Sequence, residues 1–263
     1  MRWAVAAAIA CFTAEGASTE ASGHPPTSAS PLASSPADGE GVQQFSGTYV
    51  MLQQTVTRAE LPVIADIEAT TRAVSLLQLR HDGSRLFGSG PVCALEMQND
   101  SSLVTTELPE AFRRSLPPVE VDARLVATER GLAFRQPERT IVVGARVLPG
   151  APLPSSASDK RVFDQDGDGK PGVTVRVSVR GILAGDIYLV QRSRSRLYGS
   201  QRGSAFTGRI DFENEQRVLG SSHPLLGDGP VSRPLPERSF FRLERIQEGA
   251  DCAAAVRRAQ GWR

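Results

Sequence analysis

Between Val173 and Arg180 the chain reads Val-Thr-Val-Arg-Val-Ser-Val-Arg. Four valines at every second position put one apolar face on an extended chain, with Thr174, Arg176, Ser178 and Arg180 on the other. That period of two is the mark of a half-buried antiparallel strand, and a helix would scatter those valines around its circumference. The fold must therefore supply a sheet with one dry face. The same texture runs from about residue 41 onward. Strands are expected at residues 45–56, 67–79, 85–97, 119–128, 132–135, 140–147, 173–179, 182–197, 204–212, 217–220 and 240–246. Asp82-Gly83 and Arg130-Gly131 supply hairpin turns. Helix is expected only as a turn over residues 108–114, closed by Pro117-Pro118, and as a short tail over residues 250–263. No internal repeat is present. The fold class is all-β: a single antiparallel β-barrel or sandwich of about 8–10 strands with a short C-terminal helix.

The first residues have a different character. Arg2 followed by Trp-Ala-Val-Ala-Ala-Ala-Ile-Ala makes a positive and then an apolar stretch, as in a short export signal. Ala8-Ile9-Ala10-Cys11 resembles the lipobox of bacterial envelope lipoproteins, with Ala8 where Leu is usual and Ile9 where a small residue is usual. The resemblance implies that Cys11 is lipidated and becomes the mature N-terminus. Simple secretion with cleavage near residues 14–18, and a cytosolic N-terminal helix, are the alternatives. Residues 12–41 are rich in Ala, Ser, Thr, Pro and Gly, with Pro25, Pro26, Pro31 and Pro36 and no apolar period. Such a segment cannot bury enough surface to offset its ordering entropy, so it reads as a flexible tether. The organisation expected is a signal over 1–11, a tether over 12–41 and an all-β domain over 42–263. The protein is then exported: an outer-membrane or cell-surface lipoprotein, otherwise periplasmic or secreted, with a membrane as partner through its lipid.

The densest chemistry lies just before the valine strand, in Asp164-Gln165-Asp166-Gly167-Asp168-Gly169-Lys170-Pro171-Gly172. Carboxylates at positions 1, 3 and 5 with glycine at 6 match the front half of a calcium loop. Calcium takes six to eight oxygens at about 2.3–2.6 Å, and alternate carboxylates gather around one point as the chain curls. The expected ligands are Asp164, Asp166, Asp168 and the carbonyl of Lys170, with Asp159 or Asp186 as further candidates. Position 12 falls on Val175, so the usual bidentate glutamate is missing. The loop resembles those of dockerins and thrombospondin type 3 repeats, which implies an extracellular structural calcium held with affinity on the order of 0.1 to 1 mM. The alternative is an ion-free turn.

Cysteine is scarce. With Cys11 lipidated, Cys93 and Cys252 remain, a pair suited to one disulfide in an oxidising compartment; two separate buried thiols are the alternative. Only Lys160 and Lys170 are lysines, so the positive charge is almost all arginine. Arg192, Arg194 and Arg196 share one strand face, and Arg176 and Arg180 face outward on a neighbouring strand. If those strands pair, they make a patch for an anionic envelope component; a solvated face paired to acids such as Asp211, Glu213 and Glu215 is the competing reading. A net charge of +1 argues against a nucleic-acid partner.

No catalytic motif is found, and no enzyme is expected. His24, His81 and His223 fall in the tether and in turns, with no zinc spacing among them. Phe45-Ser46-Gly47-Thr48-Tyr49 resembles the Gly-x-Trp start of lipocalins, with Tyr49 in place of the tryptophan. That resemblance implies an eight-stranded cup around a small apolar ligand. The functional expectation is a binding or structural envelope protein, with such a carrier as the alternative and an unrecognised secreted hydrolase as the second.

Overall fold

The structure is a computed structural model, which describes residues 44–59, 66–227 and 232–262. The expected signal, tether and lipidated Cys11 lie outside the described residues. Twelve strands form one antiparallel sheet: β1 (Gly47–Ala59), β2 (Ile67–His81), β3 (Arg85–Gly90), β4 (Val92–Asn99), β5 (Val104–Glu107), β6 (Val119–Thr128), β7 (Gly131–Val143), β8 (Val173–Val179), β9 (Leu183–Arg202), β10 (Ala205–Ser221), β11 (Ser232–Pro234) and β12 (Phe240–Arg245). Two α-helices, α1 (Glu110–Ser115) and α2 (Cys252–Gln260), and a 3-10 turn over Pro236–Arg238 accompany them among the described residues. The all-β expectation and its short C-terminal helix hold.

The pairing closes on itself. β1, β2, β3, β6, β7, β9, β10 and β12 each lie beside the next in chain order, and β12 returns to β1. The other four strands branch from this meander. β4 lies beside β2, β8 beside β9, β5 beside β8, and β11 beside β1. β2 and β9 are long enough to hold two partners each. Residues 78–81 of β2 pair with β3 and residues 69–75 with β4; residues 183–189 of β9 pair with β8 and residues 191–200 with β7.

Proline explains two departures from the expected strands. The single strand expected over 85–97 is two, β3 and β4, separated at Pro91, which has no N–H to give a ladder. Its carbonyl still accepts the Leu76 N–H at 3.2 Å. The break expected between 135 and 140 is instead a bulge within β7, between Gln136 and Arg139 around Pro137. β10 likewise runs unbroken where two strands were expected.

Inside the ring, Phe45, Phe134, Phe206 and Phe241 stack with centroids 5.0–5.7 Å apart. The valines of β8 are all buried in this same core. Outside it, α2 lays Ala255, Ala259 and Trp262 over Val50, Leu52 and Val74. Asp251 caps that helix by accepting the Ala254 N–H at 2.8 Å. The Cys93–Cys252 disulfide ties its first residue to β4, with Cα atoms 5.1 Å apart.

Candidate functional site

The acidic loop connects β7 to β8 and is built by its own backbone. Asp164 accepts the N–H groups of Gly167 and Gly169, each at 2.8 Å, and of Asp168 at 3.2 Å. Asp168 accepts the Lys170 N–H at 2.8 Å and the Thr174 hydroxyl. Asp166 accepts the Thr174 N–H at 2.8 Å through Oδ2, while its Oδ1 is buried with no partner among the described residues. One carboxylate oxygen from each aspartate lies within 4.8 Å of the others.

Their electrostatics differ. Burial pushes the Asp166 carboxyl above its ordinary range, and the neighbouring Asp168 and Asp164 charges push the same way. Burial also works against the Asp164 charge, but the three N–H groups it accepts outweigh this and hold its carboxyl below the ordinary range. The three carboxylates thus form an oxygen cluster whose middle member is penalised for its charge. A hard divalent cation would relieve that penalty, and the all-oxygen donor set suits calcium.

The loop is bolted to the sheet. The Gln165 side chain accepts the Gly144 N–H at 2.7 Å and donates to the Ser115 carbonyl at 3.2 Å, joining the ends of β7 and α1. The two further ligand candidates are engaged with cations. Asp159 pairs with Arg161 at 2.7 Å, whose hydrogen bonds hold its carboxyl down to about 2. Asp186 lies 3.4 Å from Arg176. Lys170 places its ammonium 5.7 Å from the centre of the Tyr188 ring.

The arginines expected to form one patch are held apart by register. β8 pairs with residues 183–189 of β9, so Arg176 and Arg180 do not lie beside Arg192, Arg194 and Arg196. Four of the five meet acids: Arg176 with Glu107 and Asp186, Arg192 with Glu215, Arg194 with Glu213, and Arg196 with Glu138. The acid-paired face is what this geometry displays.

At the other end of the ring, Arg245 of the last strand stands over the Tyr49 ring, 6.0 Å from its centre, and beside the bare backbone of Gly47. Tyr49 is buried and donates its hydroxyl to the Phe45 carbonyl at 2.7 Å. His81, expected on a surface turn, is instead buried at the end of β2, with its ring edge-on to Phe45 at 5.2 Å.

Periodicity also gave no warning of a polar band on the core-facing side. Gln53, Thr55 and Thr57 follow Tyr49 and Met51 along one face of β1, and Gln191, Ser193 and Ser195 do the same between Leu189 and Leu197 on β9. Gln53 Oε1 and Gln136 Oε1 are buried without hydrogen-bond partners among the described residues. Chain position alone offers no signal for this, because threonine and serine at inward positions look like ordinary strand residues.

No family model, curated protein or solved structure matches this chain.

Proposed function

We propose that the protein is an exported, lipid-anchored β domain of a bacterial envelope, acting as a binding or structural protein and braced by calcium in the Asp164–Asp168 loop. The observation that carries this reading is the buried, unpartnered Asp166 Oδ1 beside two further carboxylates. An oxygen of that kind is costly unless something positive meets it. The Cys93–Cys252 disulfide supports an oxidising compartment. Anchoring rests on the Ala8-Ile9-Ala10-Cys11 motif alone.

A second reading, a lipocalin-like carrier of a small apolar ligand, draws on a specific observation. The eight-strand meander opens on Gly47 and Tyr49, and its last strand returns Arg245 over that same tyrosine. The phenylalanine stack inside the ring favours a filled core over an open cup.

Two measurements test the proposal. Mass spectrometry of the mature protein should find a diacylated Cys11 at its N-terminus; any other N-terminus removes the anchor. Thermal melting should move upward with millimolar calcium, and an unchanged midpoint at several millimolar removes the ion.

A further inference from the structure

Several outward arginines on this sheet lie directly opposite acids. Arg58 lies opposite Glu68, Arg72 opposite Glu96, Arg176 opposite Glu107 and Asp186, Arg192 opposite Glu215, and Arg194 opposite Glu213. Opposite charges on directly facing positions stabilise a pair of strands, and like charges there destabilise it. Arg58 also faces Arg233 on β11, but Arg58 is held by Glu68. Arg124 on β6 faces arginine on both sides, Arg85 on β3 and Arg135 on β7. The row continues through Tyr198 on β9 to Arg209 on β10.

Arg85 finds an acid, Asp122, at 2.9 Å. Arg124, Arg135 and Arg209 form no ion pair or side-chain hydrogen bond among the described residues. All three are exposed, as is Tyr198. Adjacent strands lie about 4.8 Å apart, so the guanidiniums of Arg124 and Arg135 can close on one small group from two sides. Between them and the β7 bulge lies a depression of about 390 Å³, lined by Arg124, Arg135, Gln136, Pro137, Arg196 and Tyr198. The register shift in β7 between Gln136 and Arg139 falls beside this depression.

Arginine stacked on arginine, with neither Arg124 nor Arg135 met by an acid among the described residues, beside a cavity, is a break in local consistency. Such breaks mark functional positions. We propose that the depression around Arg124 and Arg135 is a binding site for an oxyanion group: phosphate, sulfate or carboxylate. The two guanidiniums present planar forks of N–H donors, the geometry that grips such groups bidentately. Tyr198 gives a flat apolar wall for whatever carries the anion, and Arg209 extends the positive row to one side. This site stands independently of the calcium and export readings; of the acid-paired arginines of β8 and β9, Arg196 alone lines it, held by Glu138.

The test is calorimetric titration of the full chain with sodium phosphate, with dextran sulfate and with phosphatidylglycerol vesicles, in low-salt buffer without calcium. Saturable binding of phosphate is expected, weakened at least tenfold in Arg135→Gln and in Arg124→Gln. Arg194→Gln, whose arginine is held by Glu213, should bind as the parent does. Binding of dextran sulfate with the same variant pattern would support the site and assign the anion to a polymer. Without any anion, Arg124→Gln and Arg135→Gln should melt no lower than the parent, because each removes a like-charge pair. The proposal is overturned if neither soluble anion binds saturably, or if Arg194→Gln loses as much as Arg135→Gln. Vesicle binding by a protein indifferent to both soluble anions would also overturn it, in favour of a membrane-facing surface.

Discussion

Cys252, the first residue of α2, is bonded to Cys93 on β4 across 159 residues of chain. That bond and Trp262 hold the helix at its two ends against the outer face of β1, β2 and β4. Reduction, or Cys252→Ser, should lower stability by up to about 5 kcal/mol in the chain-entropy picture. Trp262 is buried, so its fluorescence should shift to longer wavelength when the helix lifts. Urea unfolding with and without dithiothreitol measures both; identical midpoints would refute the prediction.

Calcium and protons should compete at Asp166. Its carboxyl is raised in the folded state, so the folded chain binds that proton more tightly than the unfolded chain does. Without calcium, its contribution therefore favours folding as pH falls through the raised value and opposes folding above it. Asp166→Asn should be neutral or stabilising near neutral pH without calcium, and should abolish the calcium-induced rise in melting temperature. A variant that still responds fully to calcium would exclude Asp166 as a ligand.

Glu244 sits under α2 and accepts from Arg242 and from Arg258. Burial pushes its carboxyl up, but the hydrogen bonds from the two arginines more than reverse this and hold it below the usual range. A depressed acid stabilises the fold above its unfolded pKa, and that contribution is lost as pH falls through the folded value. Glu244→Gln should cost about 1 to 2 kcal/mol at neutral pH, discounted because both arginines reach solvent. It should also flatten the fall in melting temperature between about pH 5 and pH 3. A parallel pH profile in parent and variant would count against the assignment.

Two glycines of the acidic loop separate backbone strain from crowding. Both adopt positive φ, +82° at Gly169 and +87° at Gly172. A Cβ at Gly169 would meet open space, whereas one at Gly172 would stand 2.2 Å from the Leu189 carbonyl oxygen of β9. Gly169→Ala should cost about 1 kcal/mol, the left-handed penalty alone. Gly172→Ala should cost well over that, because backbone must move. Chemical denaturation of the two variants ranks them, and equal costs would show that the loop does not press on β9.

The sequence revealed strands wherever one face is dry and the other wet. β6 and β8 were expected over 119–128 and 173–179 and are observed over the same residues, because strict alternation leaves no other registration of the apolar face. β5 and β11 escaped because four and three residues are too few to display a period. The β3–β4 break escaped because extended chain resumes directly after Pro91, so one run was expected where the ladder is interrupted. Closure of the meander depends on β9 meeting both β7 and β10, a long-range choice that no local window contains. The acidic loop was legible as spacing, since its hydrogen bonds run within a few residues. What distinguishes it, the orphaned Asp166 oxygen, depends on how the loop is pressed into the sheet. The Arg85–Arg124–Arg135 row was invisible because its members come from three strands and meet only through register.

β1 is gripped on both sides, by β2 along its whole length and by β12 over residues 49–54. A pull on the chain ahead of Gly47 acts along this strand. It loads both ladders in shear, so their hydrogen bonds resist together rather than opening one after another from an end. If force ever reaches this domain through its N-terminal side, the strand that receives it is held from both sides and does not peel away from a free edge.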